Sequence, residues 1–395
     1  MGVKRYLVLV ACVVMLMCLG TGQAWSVFIP PLVKEYGYSS AQMQMVFAIG
    51  QLFFCLGFIV GGRLHDRVGP RPMAVASAVM LAGGWWLSRF GGSHYVWLFV
   101  GMGILNGAGA AVGYASPIAT AMKWFPRNRG LVTGLMVAGF AGGPIVISVI
   151  TETCLAKGWA VLDIFGLLGS AYPVIILATG MMLVVPAGGP GLEEVDGFSR
   201  RKLLVDRRFW TLFAGMFVGT LPYLVVMGSA KPMAQSFGFE WAALVVVGVV
   251  AAGNAVGRIF WGWVVDRVGM RRSMLGAQGV MIGSMAILIA AGRWEAWTFL
   301  AAAWGVGFCY GSNFAIYPAT VSRLYGTHVL GTVYPLVMAA QGISSVGPTV
   351  NGWLRDVSGS YVPGLAVAAM VAAVGLGVCA VLSRPTGGLA EDRRG

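Results

Sequence analysis

The sequence predicts an all-α membrane protein of twelve transmembrane helices in two six-helix bundles, with both termini in the cytoplasm. Three observations predict this. Only 10% of the 395 residues are charged and 58% are hydrophobic, whereas soluble domains carry roughly a quarter charged residues. Twelve apolar runs alternate with short polar breaks, each near the roughly 20 residues that cross a bilayer core. A polar tract of ten residues also occurs twice, at an offset of 200.

In chain order the runs fall at 6–30, 42–63, 73–90, 95–118, 130–153 and 162–185, then 209–230, 241–264, 274–291, 296–318, 329–352 and 362–383. The first run is too long, and too poor in cleavable small residues, for a removed leader, so it is expected to remain as a span. The longest polar interval, 186–208, holds Pro186, Gly188, Gly189, Pro190 and Gly191, then Glu193, Glu194, Asp196 and five basic residues. It is read as a linker between a bundle over 1–185 and a bundle over 209–395. Of the 27 Lys and Arg residues, 20 fall in the terminal segments and loops that share one side and 6 in those of the other. The richer side is the cytoplasmic one. It holds both termini and the linker, and the net charge of +13 is therefore loop charge and not a nucleic-acid footprint. Cys12, Cys18, Cys55, Cys154, Cys309 and Cys379 all sit in apolar runs without metal-ligand spacing, so they read as small packing residues, with no metal or cofactor expected.

The repeated tract reads Gly62-Arg-Leu-His-Asp66-Arg67-Val-Gly69-Pro-Arg71 after the second run and Gly262-Trp-Val-Val-Asp266-Arg267-Val-Gly269-Met-Arg271 after the eighth. Gly20-Thr21 is echoed by Gly219-Thr220, and Gly143-Pro144 by Gly347-Pro348. Parallel halves facing each other across a central path are a transporter plan. The tract resembles the signature of the major facilitator superfamily, and the resemblance extends over the whole chain. It implies two bundles that rock about a midplane site. Within it Asp66, Arg67, Arg71, Asp266, Arg267 and Arg271 would form a conformational latch, an aspartate satisfying a helix N-terminus and nearby arginines.

Every acidic residue and every histidine lies in a loop or within a turn or two of a run's end. Arg258 is the exception among the charges. It lies eight residues before Asp266, about 12 Å along a helix, close to the middle of a core about 30 Å thick. A charge at that depth is costly and usually functional. Asn254 stands one turn away, with Gly253 and Gly257 beside it, which suggests an open polar face. A buried guanidinium needs an acceptor and matches a carboxylate with two parallel hydrogen bonds. With no protein carboxylate at that depth, the transported substrate is expected to supply one. Tyr310, Phe314 and Tyr317 recur at helical spacing beside Asn313, and Tyr114, Gln23 and Gln341 lie at comparable depth. Their polar atoms need partners in hydrocarbon.

Three stretches resemble a narrower family, the monocarboxylate transporters with the oxalate/formate antiporter. They are Lys123-Trp-Phe-Pro-Arg-Asn-Arg129 through Gly139, Asn254-Ala-Val-Gly-Arg258, and Tyr310-Gly-Ser-Asn-Phe314. The resemblance implies that Arg258 binds the substrate carboxylate while Tyr114, Phe140, Tyr310 and Phe314 line the cavity, with Gln23 near them. Gln341 stands where the antiporter has a second cation, which makes a dicarboxylate a poor fit. Asn254 replaces the aspartate of the animal transporters, and span one holds no lysine before Lys34, so their proton route does not carry over. On family grounds the expected activity is proton-coupled symport of a lactate-like anion. Anion exchange, or export on the same fold, is the alternative. The expected partners are a small carboxylate, a proton or counter-anion, and the lipid of a plasma membrane or bacterial inner membrane. No nucleic acid is expected, and the chain is read as a monomer. No HExxH, GxSxG or deep carboxylate pair supports an enzyme.

Overall fold

The computed structural model describes residues 2–92, 94–125, 129–184, 200–291, 295–326 and 329–382, and every regular element among them is helical. The first rod is α1 (Gly2–Leu19), a tighter 3₁₀ stretch over Gly20–Val27, then α2 (Ile29–Tyr36). Gly20 and Gly22 favour the helix poorly, and the Thr21 hydroxyl donates to the Cys18 carbonyl at 2.8 Å. The rod is therefore rewound in its middle, where Gln23 sits. Next come α3 (Ser40–Val68), started by a reciprocal Ser39–Gln42 cap, and α4 (Pro70–Ser88). A third rod runs from α5 (Tyr95–Leu98) through π-helical turns over Phe99–Asn106 into α6 (Gly107–Trp124). The first half ends with α7 (Arg129–Ala156) and α8 (Val161–Met181).

The linker expected over 186–208 lies outside the described residues up to 199. After it come α9 (Arg200–Val205) and α10 (Arg207–Ser236), whose N-terminus Asp206 caps. Then follow α11 (Glu240–Ile289), α12 (Ala296–Gly311), α13 (Asn313–Tyr325), α14 (Leu330–Ser344), α15 (Val346–Ser358) and α16 (Val362–Leu382).

Among the described residues, eight helices are long and apolar enough to cross a membrane. This differs from the expected twelve for visible reasons. Runs 241–264 and 274–291 are two arms of one 50-residue element that Gly269 breaks. Run 329–352 is α14 and α15, parted at Ser345. There the Ser344 and Ser345 hydroxyls donate to the carbonyls of Ala340 and Gly342, competing with the helical ladder. Run 73–90 is α4, whose Pro70-Arg71-Pro72 start and Gly83-Gly84-Trp85-Trp86 stretch leave it outside the eight, and a shorter apolar helix covers Val362–Gly377.

The sequence repeat is also a conformational one. Gly69 and Gly269 adopt φ/ψ of 81/177° and 78/169°, a region open in practice only to glycine. Each turns the chain sharply between two helices.

One end of the molecule carries the repeated tracts; the other carries the α3 N-terminus and the ends of α7, α10 and α15. At this second end the two halves of the chain are joined by polar contacts. The Asp356 carboxylate accepts from the backbone N–H groups of Ser40 and Ala41 at 2.9 and 2.8 Å. Gln44 donates to the Gly228 carbonyl at 2.7 Å, and Lys231 pairs with Glu152. At the tract end, Asp266 pairs with Arg323 at 2.9 Å within the second half. Arg67, Arg71, Arg267 and Arg271 are exposed, and Arg267 stacks on Trp263 at 4.1 Å. The Asp66 side chain lies outside the described residues. Among the described residues, then, Asp266 engages Arg323 of a neighbouring helix and not Arg67, Arg71, Arg267 or Arg271, while the polar contacts named above that join the halves sit at the opposite end.

Candidate substrate site

Between the halves lies a cavity with about 540 Å³ of empty space, lined from α3, α6, α7, α10, α11, α12, α13 and α14 and by Gln23 of the rewound stretch. Arg258 enters it from α11. Its Nε donates to Asn254 Oδ1 at 3.0 Å, and one terminal nitrogen reaches the Val137 carbonyl of α7 at 3.4 Å. Its guanidinium carbon lies 4.1 Å from the centre of the Phe314 ring, a cation–π contact. Among the described residues its partners are thus neutral: an amide, a carbonyl, a ring and the Tyr114 hydroxyl. No ion pair to it occurs among them. The guanidinium therefore has no charged acceptor among the described residues.

Aromatic rings enclose the charge. Tyr310 stacks on Tyr223 with centroids 3.6 Å apart and meets Phe314 edge-on at 5.2 Å. On the opposite wall Tyr114 meets Phe140 edge-on at 5.1 Å and packs against Phe54 and Phe58. The Tyr114 hydroxyl faces the guanidinium, and that of Tyr223 faces Asn254. The Tyr310 hydroxyl donates to Gln341 Oε1 at 3.3 Å. These groups leave the guanidinium able to take an anion from the cavity side while its other edge is held in register.

Most of the residues expected at the site converge here: Arg258, Asn254, Tyr114, Tyr310, Phe314, Gln23, Phe140 and Gln341 all line the cavity. Asn313 does not. It is buried away from the cavity, and its Nδ2 donates to Thr220 Oγ1 of α10 at 2.9 Å. Asn313 adjoins Phe314 in sequence and so points about 100° round the helix from it, toward α10. Tyr317 is packed in the core of the second half. Gly253 and Gly257 also serve differently from the open face expected of them. A Cβ on either would stand 2.3 or 2.0 Å from the carbonyls of Trp304 or Phe308. They let α11 and α12 touch backbone to backbone.

A profile of the major facilitator superfamily matches residues 10–348. The chain belongs to the major facilitator superfamily. Among its relatives, the oxalate:formate antiporter of Oxalobacter formigenes is 25% identical over 365 residues, covering 88% of this chain and 83% of that protein. Monocarboxylate transporter 11 of Homo sapiens is 27% identical over 350 residues, covering 84% and 73%. The crystal structure of a D-xylose-proton symporter superposes with a TM-score of 0.74 at 15% identity, covering 96% of this chain and 97% of that one. That likeness is one of fold. This major facilitator protein is a multi-pass membrane transporter and not an enzyme.

The sequence reading missed Phe54, Phe58, Tyr223, Tyr334 and Met338, which also line the cavity. A signal for three of them was present. The 200-residue offset carries Asn254 and Arg258 onto Phe54 and Phe58, and Gln23 onto Tyr223. The same offset pairs Tyr114 with Phe314. The two halves of this superfamily member thus present equivalent positions to one cavity, as expected when two repeats face each other across a central path.

Proposed function

We propose that this protein is a secondary active transporter of small monocarboxylates. In this reading twelve spans form two six-helix bundles, 1–185 and 209–395, with both termini and the 186–208 linker on the cytoplasmic side. The bundles rock about the central cavity. Arg258 binds the carboxylate, Asn254 holds its Nε, and the aromatic walls exclude water. The anion moves with a proton in symport, as a monomer. The two tracts, Asp66, Arg67 and Arg71 with Asp266, Arg267 and Arg271, close the cytoplasmic side in the state opposite to the present one.

The observation that carries this reading is the guanidinium in a neutral, enclosed cavity. A permanent cation at that depth needs an anion to offset its desolvation, and its described partners bring none. The cargo is the natural source. A single deep cation matches one carboxylate, and Gln341 supplies no second one. Exchange of anions is the second reading, supported by the similarity to the oxalate:formate antiporter.

Uptake of radiolabelled lactate into proteoliposomes tests both readings. Symport predicts stimulation by an inside-alkaline pH gradient. Exchange predicts that only preloaded internal anion stimulates uptake. Failure of lactate, pyruvate, acetate and formate alike to move would sink the carboxylate assignment.

A further inference from the structure

A second chamber, with about 420 Å³ of empty space, lies wholly within the first half and shares Gln23, Phe54 and Phe140 with the central cavity. Three side-chain amides line it: Gln23 of the rewound stretch, Gln51 of α3 and Asn106, which ends the π-helical turns before α6. They are 9, 4 and 3% exposed. Gln23 Nε2 donates to Gln51 Oε1 at 3.3 Å. Gln23 Oε1 and Asn106 Nδ2 are buried with no hydrogen-bond partner.

Two unpaired polar atoms at one chamber cost the protein free energy, and the fold does not demand them. At the 200-residue offset the second half has Tyr223, Ala251 and Val306 at these positions. The two backbone irregularities that place Gln23 and Asn106, a 3₁₀ stretch and a π-helical one, are also of the kind that recurs at functional sites.

The unpaired atoms define a ligand chemistry. Gln23 Oε1 needs a donor and Asn106 Nδ2 needs an acceptor. A hydroxyl is both, and its oxygen carries no charge that this neutral chamber would have to offset. We propose that the amide chamber is a second subsite of the carrier that receives a hydroxyl group on the substrate, remote from its carboxylate. The proposal rests on Arg258 binding the carboxylate. The chamber adjoins the central cavity along the shared walls of Gln23, Phe54 and Phe140, and Arg258 lines the cavity but not the chamber. A hydroxyl on the carbon next to the carboxylate stays with it beside Arg258; one farther along the chain is placed to enter the chamber. The substrate class is therefore monocarboxylates with a hydroxyl toward the far end of the chain.

Competition binding to the purified full-length protein tests this. The probes are propionate, butyrate and pentanoate, each against its ω-hydroxy derivative, with lactate against propionate as the short control. In the wild type at least one ω-hydroxy acid binds about tenfold tighter than its parent, and lactate gains less. In Asn106→Leu and in Gln51→Leu that ratio falls to near one. Equal binding of parent and derivative at every length, the result expected if water alone fills the chamber, overturns the proposal. So does a ratio that survives in both leucine variants, because the hydroxyl is then recognised elsewhere. If none of the acids binds the wild type, the carboxylate reading falls first and this one with it.

Discussion

Arg258 was legible in the sequence because it is the one charge far from any span end. Its supports were legible in part. Asn254 stands at i−4, and helical spacing alone puts it beside the arginine. Tyr223 and Tyr334 were not singled out, because a tyrosine inside an apolar run reads as packing until its neighbours are known. Two substitutions test the site. Arg258→Lys keeps the charge but loses the planar fork, and lactate uptake is expected to fall by at least about tenfold, a loss of roughly 1.4 kcal/mol or more. Arg258→Ala is expected to abolish it. Fluorescence-detected size-exclusion confirms insertion in each case, and near-normal uptake by the alanine variant contradicts the assignment. Gln341→Lys sets a second cation across the cavity, beside the Tyr310 hydroxyl. Oxalate and malonate should then compete with lactate, and no gain of competition counts against the cavity-facing role of that position.

At the scale of elements, apolar run length placed nearly every helix, whereas the irregularities escaped it. The rewound stretch at Gly20–Val27, the π-helical turns at Phe99–Asn106 and the breaks at Ser312 and Ser345 depend on hydroxyl back-bonding and on neighbouring helices. Hydropathy carries neither. Glycines were visible, but their use was not. Gly257 with Gly253, and Gly307 with Gly311, form two facing grooves. A Cβ on Gly307 would stand 2.0 Å from the Val250 carbonyl, as one on Gly257 would from that of Phe308. Because the obstacle is backbone, it cannot swing aside. Gly257→Leu is expected to cost at least about 1–3 kcal/mol and to lower the thermal midpoint in detergent. Gly279→Leu, at a position with open space around its Cα, is the matched control and should change the midpoint little. Equal midpoints would mean that the grooves have no packing role.

At the scale of the molecule, polar contacts between the halves gather at the end opposite the tracts. Lys231 is nearly buried and its partner Glu152 comes from the other half of the chain. A buried pair adds little net stability against apolar groups, but removing one partner strands the other and costs about 3–5 kcal/mol. Separation of the halves brings water to both groups, so the penalty weighs on the closed arrangement. Glu152→Gln is therefore expected to shift the population toward the open one. Distances between spin labels on α2 and α15 should lengthen, and an unchanged distribution would remove this pair from the closure. The internal repeat was legible, and with it the facing halves. Which end the contacts would occupy was not, since that belongs to the state of the molecule and not to its composition.

The contact made by Asp356 has a different kind of consequence. Its two acceptor oxygens meet backbone N–H groups, those of Ser40 and Ala41, and every residue except proline supplies such a group. Substitution at positions 40 and 41 by residues other than proline can thus leave this contact unbroken, and no compensating exchange at 356 would follow. Correlated substitution between the two halves would be silent here. A contact joining them would leave its trace in the history of a single aspartate.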